Sequence, residues 1–170
     1  MTFVLKMLLI SMNIFAVDKD PKISAQQLCD KHVVKMILES AQMLCSAYPN
    51  GDAPYKRAFY NHPCTIWARE SQENYEWLLD HAYAMCQEYT RRYGKVHKSI
   101  DAIEWCGKNY IKLRLPRKGL TKFAQAMPEQ YKNIRDFCSM VYNSSDVTAF
   151  KFEEIKEDGN GHEIKMPVTP

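Results

Sequence analysis

Apolar positions along the chain fall into runs of three kinds. The first is continuous: MTFVLKMLLISMNIFAV fills residues 1–17, interrupted by Lys6. Within it, MNIFAVD from Met12 predicts a short N-terminal strand that opens the domain, with DKDP, ending at Pro21, as its punctuation. The second kind recurs at helical spacing. Ser24 with Gln27 three residues later forms a capping box, predicting a helix from there to about Ala47, before the turn-rich YPNGDAP of residues 48–54. Ser71 caps a second long helix, in which Tyr75, Leu78, Leu79, Ala82, Met85, Cys86, Tyr89 and Tyr93 share a face and Gly94 is the stop. A shorter helix spans Ile100 to Cys106 with Gly107 ending it, and Pro128 opens a last helix through about Tyr142. The third kind has no period: residues 55–70 are short-helical or irregular, YIKLRL offers a brief extended piece, and the final twenty residues read as loose or hairpin-like. The pattern predicts a mainly α protein: a single compact helical domain with two long helices, a short N-terminal strand and a loosely structured C-terminal tail. Residues 1–11 form an N-terminal extension if translation starts at Met12, residues 12–150 the helical domain, and residues 151–170 the tail.

Composition narrows this picture. A chain of 170 residues, 46% hydrophobic, supports one core rather than two. Mean hydropathy is −0.44, and no apolar run reaches the roughly 18–20 residues that span a bilayer, so no membrane partner is expected. Lys6, and the lack of a small-x-small cleavage site before Asp18, favour a cytoplasmic chain over a secreted one. The six cysteines are scattered without any CxxC pair, so they read as reduced, buried thiols and no metal or other cofactor is expected. The net charge of +3 decides nothing about partners, but its distribution does. Between Glu104 and Glu129 there is no acid, while Lys108, Lys112, Arg114, Arg117, Lys118 and Lys122 fall there; the tail carries five acids against three lysines.

Candidate chemistry concentrates on the first long helix. With His32 at zero on a helical wheel, Glu39 falls at about −20°, Lys35 at about −60° and Gln42 at about −80°. Almost everything else from Val33 to Cys45 is apolar or small, the pattern of a buried helix. Burying an unpaired carboxylate or imidazole costs several kcal/mol, so the stripe is either a satisfied polar network or the wall of a cleft performing acid–base chemistry. Two further stretches compete for attention. In Asn61-His62-Pro63 the proline keeps the preceding residues out of the helix, freeing both side chains to point into a site or merely to structure a loop. In GLTKFAQAMP, Phe123 and Gln125 lie among basic residues, which suits phosphate contact and base stacking, or a surface loop with Phe123 packed inward.

Those three stretches, DKHVVKMILESAQML, NHPCTIWARESQENYEWL and GLTKFAQAMP, resemble a family of small proteins common in tailed-phage genomes, over residues 12–132. That family is in turn similar to the phage pyrimidine-dimer DNA glycosylases of the endonuclease V type. The second likeness rests on Asp30, His32 and Glu39: the glycosylases carry D-x-H near the start of their first long helix and a catalytic glutamate seven residues beyond the histidine. His62, Thr65 and Trp67 match a later His–Thr–aromatic stretch. The resemblance implies an all-α, monomeric enzyme of an infected bacterial cytoplasm that acts on DNA, extrudes a nucleotide and needs no metal. Glu39 would stabilise the oxocarbenium-like sugar, His32 would position it or a phosphate, and Lys35 and His62 would complete the catalytic set. Asp30, Gln42, Asn61, Arg114, Arg117, Lys118, Lys122, Phe123 and Gln125 would bind substrate.

The chain departs from that pattern in two respects. The glycosylase nucleophile is the α-amine exposed by removal of Met, whereas Asn13 after Met12 is too large for efficient removal; Lys35, or a water activated by Glu39, would take its place. Basic residues flank the family's glutamate where this chain has Leu38 and Gln42. Two other functions compete. One is a metal-dependent nucleotide pyrophosphohydrolase built on Glu39, Glu70, Glu73 and Asp80. The other is a non-catalytic protein, bound to DNA or to a host factor, in which His32 and Glu39 are a structural pair.

Overall fold

The computed structural model describes residues 14–124 and 126. The extension at residues 1–11, Gln125, the helix expected from Pro128 and the tail at residues 151–170 lie outside the described residues. Five α-helices follow one another: α1 (Pro21–Gln26), α2 (Asp30–Ser46), α3 (Pro63–Ala68), α4 (Gln72–Tyr93) and α5 (Ile100–Asn109), the last running into a 3₁₀ turn at Tyr110–Leu113. Helix α4 is the axis of the molecule, packing against all four other helices. Met36, Ile37 and Leu44 of α2, Tyr75, Leu78 and Met85 of α4, and Ile103 of α5 are completely or almost completely buried. Each such side chain contributes about 1.5–3 kcal/mol of burial.

The second long helix forms as expected, whereas the first begins at Asp30 and the amino-terminal end differs from the sequence reading. No residue of the described chain is in a β-strand. Ile14–Val17 is buried, and its polar backbone bonds to a side chain: Val17 N–H donates to Ser24 Oγ (3.2 Å), and that hydroxyl donates to the Phe15 carbonyl (3.1 Å). Ser24 is thereby an interior residue of α1 and not a cap. The cap is Asp20, whose Oδ1 accepts from Lys22 N–H (2.7 Å) and Ile23 N–H (3.1 Å), with Pro21 in the first turn. Instead of one helix from Ser24 there are two, broken at residues 27–29. Arg92, far along the chain, satisfies the break: its guanidinium donates to the carbonyls of Leu28 (2.7 Å) and Gln26 (3.0 Å) and to Asp30 Oδ1 (2.9 Å).

The carboxyl-terminal half contains a second correction. Gly107 does not stop α5, which runs on to Asn109. A Cβ at Gly107 would lie 3.1 Å from Tyr83 Oη and 3.5 Å from Leu79 Cδ2, so this glycine permits the close crossing of α5 over α4. The YIKLRL segment is correspondingly helical at its start, as the 3₁₀ turn, before Arg114 leaves it at φ +50°. The chain then returns along the start of α4. Gln72 N–H donates to the Pro116 carbonyl (2.9 Å), Ser71 Oγ donates to the Gly119 carbonyl (3.0 Å), and Thr121 N–H donates to Asn74 Oδ1 (2.9 Å).

Candidate functional site

One face of α2 does not meet the core. Val34 and Leu38 are 41% and 43% exposed, so the helix that reads as apolar nearly all round is open on one side. Together with Lys35, Glu39 and Gln42 they form the first wall of a cleft of about 920 Å³, within the size range of small-molecule sites. Tyr55 and Phe59, from the segment between α2 and α3, form the second wall. Tyr89 near the end of α4 and the loop Lys95–Ser99 form the third. Tyr55 Oη donates to Ser99 Oγ (3.1 Å), joining the second wall to the third. The imidazole of His97 meets the Tyr89 ring edge-on at 5.0 Å and is hydrogen-bonded to the Val34 backbone, joining the third wall to the first. Burial lowers its pKa, and the bond to Val34 opposes that shift.

Glu39 is the single acid in this lining. It is 9% exposed, and Lys35 Nζ, one turn back, lies 3.3 Å from its Oε1. Three lysines (Lys35, Lys95 and Lys98) therefore face one carboxylate in a cleft whose other walls are largely aliphatic and aromatic. On the inner side, the Cys64 thiol is close enough to feel the Glu39 charge and also bonds to the Ile14 backbone; burial, first, and then Glu39 push it up to about 12. The amino-terminal segment and α3 are thus joined at Cys64, within electrostatic reach of the carboxylate. His32 lies deeper, 3% exposed and stacked on Phe15 with ring centroids 4.1 Å apart. It supports α2 from below and does not line the cleft.

The other residues singled out by sequence are dispersed. His62 caps α3, its Nδ1 accepting from Cys64 N–H (3.2 Å), and burial lowers its pKa. Asn61 beside it is exposed. Asp30 is held by Arg92 at the start of α2. Arg114, Arg117, Lys118 and Lys122 are exposed on the returning segment, and none of them lines the cleft. Phe123 packs between Trp67 and Trp77, with centroids 5.1 and 4.7 Å away, so it is a packing residue and not an open stacking platform. Gln125 lies outside the described residues. The carboxylates of the pyrophosphohydrolase reading do not converge: Glu73 Oε2 accepts from the N–H groups of Lys118 (3.2 Å) and Gly119 (3.1 Å), and Glu70 Oε2 accepts from Thr121 Oγ1 (3.3 Å). Among the described residues no three His, Cys, Asp or Glu side chains gather as metal ligands would.

Sequence reasoning missed the second and third walls. The run Lys95-Val96-His97-Lys98-Ser99, basic and directly after the glycine that ends α4, was the available signal for one of them. Tyr55 and Phe59 gave none, because their neighbours in sequence carry no period. Among the described residues, no helix is long and apolar enough to cross a membrane. Comparison with curated proteins and with solved structures found no match in either set. The family model described as pyrimidine dimer DNA glycosylase matches residues 12–101, a span holding α1 to α4 and every residue that lines the cleft. This chain, with its carboxylate at the edge of an aromatic-walled cleft, belongs to the pyrimidine dimer DNA glycosylase family.

Proposed function

We propose that the chain cleaves the N-glycosidic bond of a damaged or modified pyrimidine in DNA, with the extruded nucleotide held in the cleft beside Glu39. The observation carrying this reading is the Glu39 carboxylate itself, nine-tenths buried yet opening onto a cleft of base-binding character. As the C1′–N bond breaks, positive charge develops on the sugar, and a fixed carboxylate beside it is worth far more in a low-dielectric cleft than in water. Glu39 then takes a proton from the water that adds to C1′, while the departing base leaves with the bonding pair and takes a proton from solvent. Lys35 holds Glu39 in place, Gln42 reaches the base edge, and His32 and His62 are positioning residues that set α2 and α3 around the carboxylate. Arg114, Arg117, Lys118 and Lys122 take phosphates of the flanking duplex. Asn61 meets the strand beyond the cleft, and Asp30 acts through Arg92.

A second nucleophile is favoured by one distance, the 3.3 Å between Lys35 Nζ and Glu39 Oε1. The ammonium would pass a proton to Glu39, the free amine would displace the base at C1′ in place of water, and loss of a further proton with opening of the sugar ring would give an imine that permits strand cleavage. Borohydride, which reduces such an imine to a stable adduct on Lys35, separates the two routes. The test of the function is Glu39→Gln on ultraviolet-irradiated duplex DNA. Formation of alkali-labile abasic sites is expected to fall by about 10²-fold or more, with DNA affinity at low salt retained. Absence of such sites with the unaltered protein refutes the assignment, as does a Glu39→Gln variant that changes melting temperature but not rate.

A further inference from the structure

The lip of the cleft carries a feature that base release itself does not require. Phe59 is 49% exposed, with its ring on the cleft side, and its backbone is left-handed at φ +48°. A bulky L-residue in that region costs about 1–2 kcal/mol, which glycine would avoid. The surroundings hold it there. Ala58 N–H donates to Ser46 Oγ (3.0 Å), Arg57 Nη2 donates to the Tyr48 carbonyl (2.7 Å), and the Phe59 carbonyl accepts from His62 N–H (2.9 Å). A strained turn fastened on both sides thus presents an aromatic ring to the opening.

The next residue supplies charge. The Tyr60 ring has the Arg57 guanidinium 4.2 Å from its centroid and the Arg69 guanidinium 3.8 Å from it. Each arginine spends one donor on a backbone carbonyl, Arg57 on Tyr48 and Arg69 on Tyr60. The other N–H groups of each fork remain for phosphate oxygens. Arg69 adjoins Glu70, which accepts from Thr121 Oγ1 (3.3 Å), so the lip is continuous with the basic returning segment.

We infer that Phe59 is a wedge that enters the base stack beside the extruded nucleotide, while Arg57 and Arg69 take the adjacent phosphates. Apolar side chains that unstack a step in this way compensate for the energy of extrusion. The inference rests on the cleft being the base site, but its readout does not depend on chemistry. The probe is a duplex with one pyrimidine dimer and 2-aminopurine as the neighbouring base, bound by Glu39→Gln protein, so that fluorescence reports unstacking alone. A rise on binding is expected with Phe59 present. It is lost in Phe59→Gly, which keeps the left-handed turn and so the fold, and restored in Phe59→Leu. With Glu39 intact, the ratio of duplex to single-strand cleavage rates is expected to fall about tenfold in Phe59→Gly. A full fluorescence rise from saturating Phe59→Gly protein overturns the wedge, as does no rise with Phe59 in place. A protein that unstacks the probe through Phe59 but generates no abasic site upholds the wedge and refutes the glycosylase reading. Failure of the unaltered protein to bind duplex at all refutes both.

Discussion

Among the described residues, two imidazoles sit in the interior, in different surroundings. His32 is stacked on Phe15 beneath the candidate site. His81, 1% exposed, stacks on Trp77 with its Nε2 3.2 Å from Ser24 Oγ. The Ser24 proton is given to the Phe15 carbonyl, so Nε2 carries the hydrogen, and Nδ1 is an acceptor with no partner among the described residues. Burial lowers the His81 pKa from 6.5 to about 3. The unfolded chain therefore binds a proton between those values that the folded chain refuses. The stability this neutral imidazole allows is complete above pH 6.5 and is lost as pH falls towards 3, at a slope approaching roughly 1.4 kcal/mol per pH unit. Urea unfolding at pH 7 and pH 5 checks this, with the Glu88 carboxylate, its pKa lowered, titrating below that window. His62 and His97, whose pKa values burial also lowers, add a dependence of the same sign, so His81→Phe is expected to reduce the slope; an unchanged slope would place its origin in the other groups. At this scale spacing alone places Glu39, Lys35 and Gln42 on one face, and all three line the cleft. It could not tell that His32, on the same stripe, points into the core.

Among the elements, α4 was legible because its start and stop signals are local. Ser71 caps it, with Asn74 N–H donating to its Oγ at 3.1 Å, and Gly94 closes it at φ +63°. Ser71 also donates to the Gly119 carbonyl, so one hydroxyl serves both the helix and the returning basic segment. Ser71→Ala is expected to lower stability by about 1–2 kcal/mol. The loss should also speed hydrogen exchange at the amides of Lys118, Gly119 and Thr121; a drop in stability with those amides unchanged would show that the hydroxyl acts on the helix alone. Elements whose limits are set by distant partners were misread. The α1–α2 break depends on Arg92, and the passage of α5 through Gly107 depends on Tyr83 and Leu79. A glycine that permits a close crossing and one that ends a helix look the same in one dimension.

On the scale of the whole molecule, two basic regions stand apart among the described residues: the lysines of the cleft and the returning segment over the start of α4. If both meet one duplex, removing charge from the outer region weakens binding without altering which base is chosen. For Lys118→Ala with Lys122→Ala, the slope of log affinity against log salt is expected to become shallower by roughly two, about 0.9 for each phosphate left without its lysine. Titrations at several salt concentrations read this directly, and an unchanged slope would exclude the returning segment from the DNA track. Sequence alone marked this segment as basic. Its position depends on Glu73, Asn74 and Ser71, side chains more than forty residues earlier.

What the sequence by itself determined is what local chemistry controls: a mainly helical chain, the α4 caps, the spacing that puts Lys35 and Glu39 one turn apart, and the motifs that carry the family likeness. What only the tertiary structure decided is which of those side chains face solvent together. The cleft exists because three segments distant in sequence, α2, the Tyr55–Phe59 turn and the Lys95–Ser99 loop, close around the face of α2 that the core leaves uncovered. Exposure is a property of what packs against a residue, and that information is not carried by the residue's own neighbours along the chain.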